Sequence, residues 1–352
     1  MRKVILYLLC ACLLCGGCSS ALPAEERSFA VALGVSAAAN VWEVTARIPT
    51  YQQGGGYLTL SAQGATLAEA LSMLDAAAPM RMHYGQTRLL IVSQGLAESA
   101  DFPGVLKALS RLRDMRLQAQ VCVTADDLPA FMDALEPQTG TRLSKSLDIL
   151  LETRRELGVV PEASLASVLL MGERQCPVLL SAALAGEESV SRQGMEAPPE
   201  RQSVRSAGDI RFGGSWLVNA AGQVKGSLSP RETQLLNLLA GKDLRSSLAM
   251  RDGAVTLSDA GCKVKLDGNT VFCDVRLRYT DATLSEEGVI RELSDDIRAV
   301  TAKLSAADCD ALGLGRQAIR HFTDVTAWKE LSWPALYPRL QWQITVRLST
   351  VT

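Results

Sequence analysis

The sequence predicts an α+β protein of more than one domain, with mixed and antiparallel sheets packed against helices. Three observations predict it. Strand-like and helix-like patterns alternate from Ala24 to about Leu184, a polar stretch from Glu187 to Gly208 has almost no large apolar residue, and residues 251–352 run as strand pair, long helix, second helix and final strand. With 352 residues the chain is long enough for two or three domains rather than one core. The expected division is a signal segment at 1–17, an α/β domain at 18–186, a flexible linker or loop at 187–208, a middle strand–helix region at 209–250 and a C-terminal α+β domain at 251–352.

The first segment reads as the export and lipidation signal of a bacterial lipoprotein. Arg2 and Lys3 precede an apolar run from Val4 to Leu14, and Cys15-Gly16-Gly17 leads into Cys18 and the polar pair Ser19-Ser20. That run is shorter than the roughly 20 residues a spanning helix needs. Cys12 would leave only Val4 to Leu9 as apolar core, and Cys15 follows bulky Leu14, whereas Cys18 follows two glycines that suit a peptidase. Lipidation at Cys18 with cleavage after Gly17 would tether a body to the outer face of a membrane, and two acyl chains suffice for stable anchoring. The competing reading is an ordinary secretory peptide that happens to contain cysteines.

In the N-terminal half, Phe29 to Val35 and Val41 to Ile48 are strand-like, and Pro49 to Tyr57 reads as a polar loop with three consecutive glycines. Thr66 and Glu69 have capping-box spacing ahead of a helix whose apolar face is Leu67, Ala70, Leu71 and Leu74. Arg88 to Ser93 is a buried strand, Phe102 to Arg113 a helix and Leu117 to Val123 a half-buried strand. Asp126 to Leu135 and Arg142 to Leu157 return to helix, and Val178 to Ala183 closes the unit with a strand. The Glu, Ser, Arg, Gln and Pro of 187–208 cannot bury a core face, hence the linker.

Beyond the linker, Asp209 to Val218 and Gln223 to Gly226 are strand-like. Ser229-Pro230-Arg231-Glu232 then combines an N-cap, a proline at the first helical position and a cap-closing carboxylate. Cys262 to Tyr279 reads as a hairpin. A tight turn at Asp267-Gly268 would set Cys262 opposite Cys273, with Val264, Leu266, Val271 and Val275 on the same apolar face. That pairing puts the α-carbons about 5.5 Å apart, reachable for a bridge with suitable rotamers; two buried free thiols are the preferred reading. Ile290, Leu293, Ile297, Val300 and Leu304 mark one stripe of a long helix, with Arg291, Glu292, Asp295 and Asp296 mostly wet. Ser305 with Asp308 is positioned to cap the next helix, and Leu340, Trp342, Ile344, Val346 and Leu348 alternate with polar residues as a final strand.

Composition excludes several functions. Aromatics make up 5% and the net charge is −2, falling to −4 when Arg2 and Lys3 leave with the signal, so nothing suggests nucleic acid. The cysteines after Cys18 are Cys122, Cys176, Cys262, Cys273 and Cys309; five is odd, which excludes a complete disulfide framework, and none are spaced as zinc ligands. His83 and His321 are the only histidines, and neither adjoins a cluster with metal spacing. Asp126-Asp127 reads as a helix start and Asp295-Asp296 as a wet face rather than as catalytic carboxylates. Gly54-Gly55-Gly56 lacks the context of a phosphate loop, and Gly313 with Gly315 lacks the third glycine of a nucleotide motif. No catalytic set, metal site or cofactor site is expected. For Trp328, Trp333, Tyr337 and Trp342 two readings stand: packing between the last helix and sheet, or Trp333-Pro334 or Tyr337 exposed as a docking patch.

Together these segments resemble the C-subunit lipoproteins of the spore germinant receptors, the Ger(x)C family. Ala32-Leu33-Gly34-Val35 is similar to its early Leu-Gly-Ile/Val element, Val44 to Pro49 to its next strand, and Tyr84-Gly85-Gln86-Thr87-Arg88 to the segment before its aliphatic strand. Arg113-Asp114-Met115-Arg116 resembles a shortened Arg-Asp-x-x-(Ile)-Arg signature. Trp216 to Val218 through Val224 to Leu228 and Glu232-Thr233 is similar to its strand–turn–helix, and Asp310 to Gly315 with Trp328, Trp333 and Tyr337-Pro338 to its Asp-x-x-Gly-x-Gly and Trp-x4-Trp ending. The match runs through nearly the whole chain after the signal, as in a divergent member. The resemblance implies a non-enzymatic lipoprotein subunit on the outer face of the spore inner membrane, working with integral-membrane A and B type subunits in nutrient-triggered germination. The alternative is a solute-binding lipoprotein of a transporter, which predicts two similar lobes around a deep cleft. A lipoprotein hydrolase is disfavoured by the missing nucleophile–base set.

Overall fold

The computed structural model describes residues 26–50, 56–137, 141–170, 175–184, 210–242, 244, 247–251, 253–322 and 324–350. Cys18, the signal segment and the expected linker 187–208 lie outside them. In chain order the first part contains β1 (Arg27–Phe29), β2 (Ala32–Ala38), β3 (Val41–Thr50), β4 (Gly56–Gly64), α1 (Leu67–Ala77), β5 (Arg81–His83), β6 (Leu89–Ser93), α2 (Gln94–Ala97) and α3 (Phe102–Ser110). It continues with β7 (Gln120–Thr124), α4 (Leu128–Asp133), α5 (Leu143–Glu156), α6 (Leu165–Leu170), β8 (Val178–Leu184), β9 (Ile210–Val218), β10 (Val224–Leu228) and α7 (Pro230–Leu239). The remainder is β11 (Ser247–Met250), β12 (Gly253–Asp267), β13 (Thr270–Ala282), α8 (Glu286–Ala306), α9 (Leu314–Ala318), α10 (Val325–Leu331), α11 (Trp333–Leu336) and β14 (Gln341–Thr350).

Eight strands form the large sheet in the order β10-β9-β8-β7-β6-β2-β3-β4. Its centre, β8-β7-β6-β2, is parallel, and the strands on either side add antiparallel. Central strands covered on both faces must be apolar throughout, and Leu89-Leu90-Ile91-Val92 meets that demand with all four side chains buried. One face packs under α1, α3 and α6 through Leu74, Leu106, Leu109 and Leu165; the other packs under α4 and α5 through Phe131, Met132, Leu147 and Leu151. Thr66 caps α1 as its spacing predicts, accepting from the Glu69 N–H at 3.1 Å while Glu69 accepts from the Ala65 N–H at 2.8 Å.

Two departures concern this sheet. The expected loop from Pro49 is shorter, because Gly56 opens β4, which pairs with β3 from Thr50 opposite Gly56 to Trp42 opposite Gly64. Gly54 and Gly55 lie outside the described residues. In addition β9 and β10, from the stretch expected as a middle region, pair onto β8 and complete the large sheet.

The second sheet has the order β11-β12-β13-β14, antiparallel except where β14 joins β13 in parallel. Its hairpin turns at Gly268-Asn269, one residue later than expected. Asp267 is the last residue to pair, with Thr270, so Cys262 faces Val275 and Cys273 faces Val264. Gly268 has φ +57°, a corner that glycine takes without a Cβ penalty, and placing it first in the turn moves the register by two. An even shift keeps parity, and the apolar face is the expected one. Among the described residues the five cysteines are unbridged in this structure, Cys262 half-buried and Cys122, Cys176, Cys273 and Cys309 buried.

The long helix α8 buries Val289, Leu293, Ile297, Val300, Thr301 and Leu304 against this sheet. Ser305 belongs to its last turn and does not cap a new helix; the chain reverses through Asp308, at φ +50°, and the next helix is α9. Between the two sheets lies α7. Its capping box forms as the sequence predicts, with the Ser229 side chain accepting from Glu232 N–H and Glu232 accepting from Ser229 N–H. Every residue from Thr233 to Leu239 is buried, which marks a helix packed on all sides.

Candidate functional site

The last sequence signature, Asp310 to Gly315, forms a buried knot where the C-terminal elements meet. Asp310 is 2% exposed. Its Oδ1 accepts from the Leu314 N–H at 2.8 Å, and its Oδ2 accepts from the Gly315 N–H at 2.7 Å and from the Trp333 indole N–H at 3.2 Å. The carboxylate therefore satisfies the first turn of α9, where unpaired N–H groups collect, and at the same time anchors α11. Burial pushes its pKa up to about 6, against the opposing pull of those donors. The turn needs glycine at 313: its φ is +69°, and a Cβ there would come within 3.2 Å of Gln175.

The aromatic residues complete the knot. Phe322, Trp328, Trp333 and Tyr337 follow one another at ring-centre distances of 5.7, 5.9 and 6.1 Å, and the Tyr337 hydroxyl donates to the Cys309 carbonyl at 2.8 Å. Trp333 and Tyr337 are 3% and 1% exposed. The docking-patch reading is thereby overturned for both, because each has its polar tip consumed by the Cys309–Asp310 turn and its rings in the core.

The other singled-out residues are structural. The His83 Nδ1 accepts from the Gly85 N–H at 3.2 Å, its Nε2 is 3.3 Å from the Asp114 carboxylate, and Phe29 packs on its ring at 5.1 Å. It thus braces the Arg113-Asp114 turn, where Asp114 has φ +62°. His321 ends a short 3-10 turn and its side chain is outside the described residues. Asp127 caps α4 by accepting from the Ala130 N–H, and Asp126 accepts from the Leu184 N–H at 2.6 Å, tying β8 to the helix start. Asp295 pairs with Arg298 on the wet face as expected, but Asp296 binds Arg231 at 3.2 Å and so links α8 to α7. Among the described residues no three Cys, His, Asp or Glu side chains gather as metal ligands, and no helix is long and apolar enough to cross a membrane.

Sequence reasoning missed two polar centres. Arg47 on β3 has its side chain 4% exposed, donating to the Leu135 and Asp133 carbonyls and to Thr59 Oγ1 at 2.8 Å, with ion pairs to Asp133 and Glu136. The only signal was a cation between Ala46 and Ile48, two apolar residues in the middle of the strand. Asn237 on α7 donates to the Gly158 carbonyl at 2.7 Å and the Val160 carbonyl at 3.1 Å, and Gln234 donates to the Leu157 carbonyl at 3.0 Å. These bonds fasten α7 to the chain leaving α5.

Residues 21–180 match the family described as the spore germination protein N-terminal domain. A solved structure, described as the crystal structure of the GerBC protein, shares the fold at a TM-score of 0.53 and 12% identity, over 91% of this chain and 97% of that one. No curated protein sequence matches the chain significantly. The likeness to the solved structure is one of fold. Over residues 21–180 the chain matches a spore germination family, in agreement with the resemblance read from the sequence.

Proposed function

We propose that this chain is the non-enzymatic, lipid-anchored C-type subunit of a spore germinant receptor, held by Cys18 on the outer face of the spore inner membrane beside integral-membrane A and B type subunits. The observation that carries this reading is the spore germination domain over residues 21–180, continued by a GerBC-like fold through the rest of the chain. The polar groups that invite a chemical role support it further. Asp310, His83, Asp126 and Asp296 each hold one element to another, and Asp127 caps α4. The subunit then works by assembly: a lipid tether raises the effective concentration of its body near its partners, so that modest contacts suffice. The two sheets differ in size, order and strand direction, unlike the paired lobes of a solute-binding lipoprotein.

The test replaces Cys18 with Ala while export is kept, and measures membrane retention of the protein and germination with a nutrient panel in spores. Loss of both is the expected outcome. Normal germination with the protein released into the soluble fraction would sink the tethering mechanism.

A further inference from the structure

Four of the five thiols among the described residues lie near a second one, but the two pairs differ in backbone geometry. Cys262 and Cys273 share one face of the β12–β13 hairpin as diagonal neighbours, each facing a valine across the ladder. Diagonal positions stand about 7–8 Å apart, beyond the roughly 6.8 Å that a disulfide normally spans. The two-residue register shift thus sets the backbone at a diagonal spacing that disfavours a bridge, although the two thiols still interact. Cys122 on β7 faces Ile91 and Leu180 on the neighbouring strands, and its thiol turns to the Val123 carbonyl.

Cys176 and Cys309 meet differently. The Cys176 N–H donates to the Asp310 carbonyl at 2.9 Å and its thiol lies 3.8 Å from the Asp308 carbonyl, so Cys176 brackets Cys309 from both sides. Burial first, and then the neighbouring Cys176 thiol, push the Cys309 thiol's pKa up. Gln175 runs alongside, donating to the Ala311 carbonyl at 3.4 Å, which holds the two chain segments together over several residues.

We propose that in the membrane-tethered protein Cys176 and Cys309 are joined by a disulfide, while Cys122, Cys262 and Cys273 remain thiols. This rests on the reading that the body lies outside the membrane, where thiols meet oxidants. The reaction is thiol–disulfide exchange with an exported dithiol oxidant in its disulfide form. One cysteine loses its proton and its sulfur attacks the oxidant's disulfide, releasing one oxidant thiol. The second cysteine loses its proton and displaces the other oxidant sulfur, forming the S–S bond. The two cysteines together give up two electrons and two protons, and the oxidant's disulfide becomes two thiols. Both sulfurs are buried in the folded body, and burial pushes the Cys309 thiol well above its ordinary value, so the exchange belongs to folding, before the Asp310 turn closes. The link ties the segment entering β8 to the turn after α8 and closes a loop of about 130 residues, long enough to restrict the unfolded chain strongly.

The test takes membranes carrying the full chain, quenches them in acid, denatures and alkylates them without reductant, and maps the digested peptides by mass spectrometry. The expected result is alkylation at Cys122, Cys262 and Cys273, with the Cys176 peptide covalently joined to the Cys309 peptide. Alkylation at all five positions, or a link between any other two, overturns the proposal. A parallel refolding of the purified chain in oxidised and reduced glutathione separates pairing from location. A link formed there but missing from membranes overturns the claim for the native protein and indicts the compartment; no link in either overturns the pairing itself. In the same buffer C309S should unfold at a lower urea concentration than the parent, and added reductant should abolish that difference.

Discussion

Asp310 is a carboxyl whose folded pKa, about 6, stands above its ordinary 3.8. Below about pH 4 it is protonated in both states and its contribution is fully present. As pH rises from about 4 through 6 the unfolded chain ionises first, so stability falls, by on the order of 3 kcal/mol in total. Asp310→Asn does not titrate, so urea unfolding at several pH values should show the parent losing stability relative to this variant across that window. Parallel curves would mean that Asp310 does not titrate there. Arg47 makes a different prediction. Arg47→Ala leaves Asp133 and Glu136 in water but removes a planar fork from several buried acceptors, and should cost about 2–4 kcal/mol in thermal or urea unfolding. Arg47→Lys should recover little of it, since one ammonium cannot reach the same set.

Elements were legible where a local rule decides them. The caps at Thr66 and Ser229, the stripe of α8 and the alternation of β14 each follow from side chains a few residues apart. What escaped depends on distant partners: β4 is a strand because β3 offers it an edge, and Arg47 is tolerated because α4 and its C-terminal turn bring acceptors from some ninety residues away. The hairpin shows the intermediate case, since parity was readable from alternation while register hung on which turn position Gly268 would take. The knot was visible as a motif, yet that Trp333 points inward follows only from Asp310 accepting its indole proton. For α7 the consequence is measurable. Asn237→Ala strands two buried carbonyls and should cost about 2–3 kcal/mol, read as a shift in the urea midpoint at unchanged slope. Restored stability in Asn237→Asp would argue against this, since a carboxylate has no proton to donate to them.

At the scale of the molecule, the matched domain and the folded unit have different ends. Residues 21–180 stop inside β8, whereas the sheet needs β9 and β10 to cover that strand's far edge. A fragment of residues 26–186 should therefore aggregate or remain unfolded, as an exposed apolar strand edge does. Its circular dichroism and gel-filtration profile should be those of an associated or unfolded chain. A cooperative monomeric transition from that fragment would show that the antiparallel extension is dispensable.

The burial of α7 on every side also sets how the body carries load. A helix with one wet flank can roll or slide when one neighbour moves, but α7 is gripped by β9 on one side and by α8 and β12 on the other, with Asn237 and Gln234 pinned to residues 157–160 and Arg231 to α8. Packed interiors compress little and pass strain onward. A push applied at the four-stranded sheet reaches the eight-stranded one without being absorbed between them. The body is built as a strut.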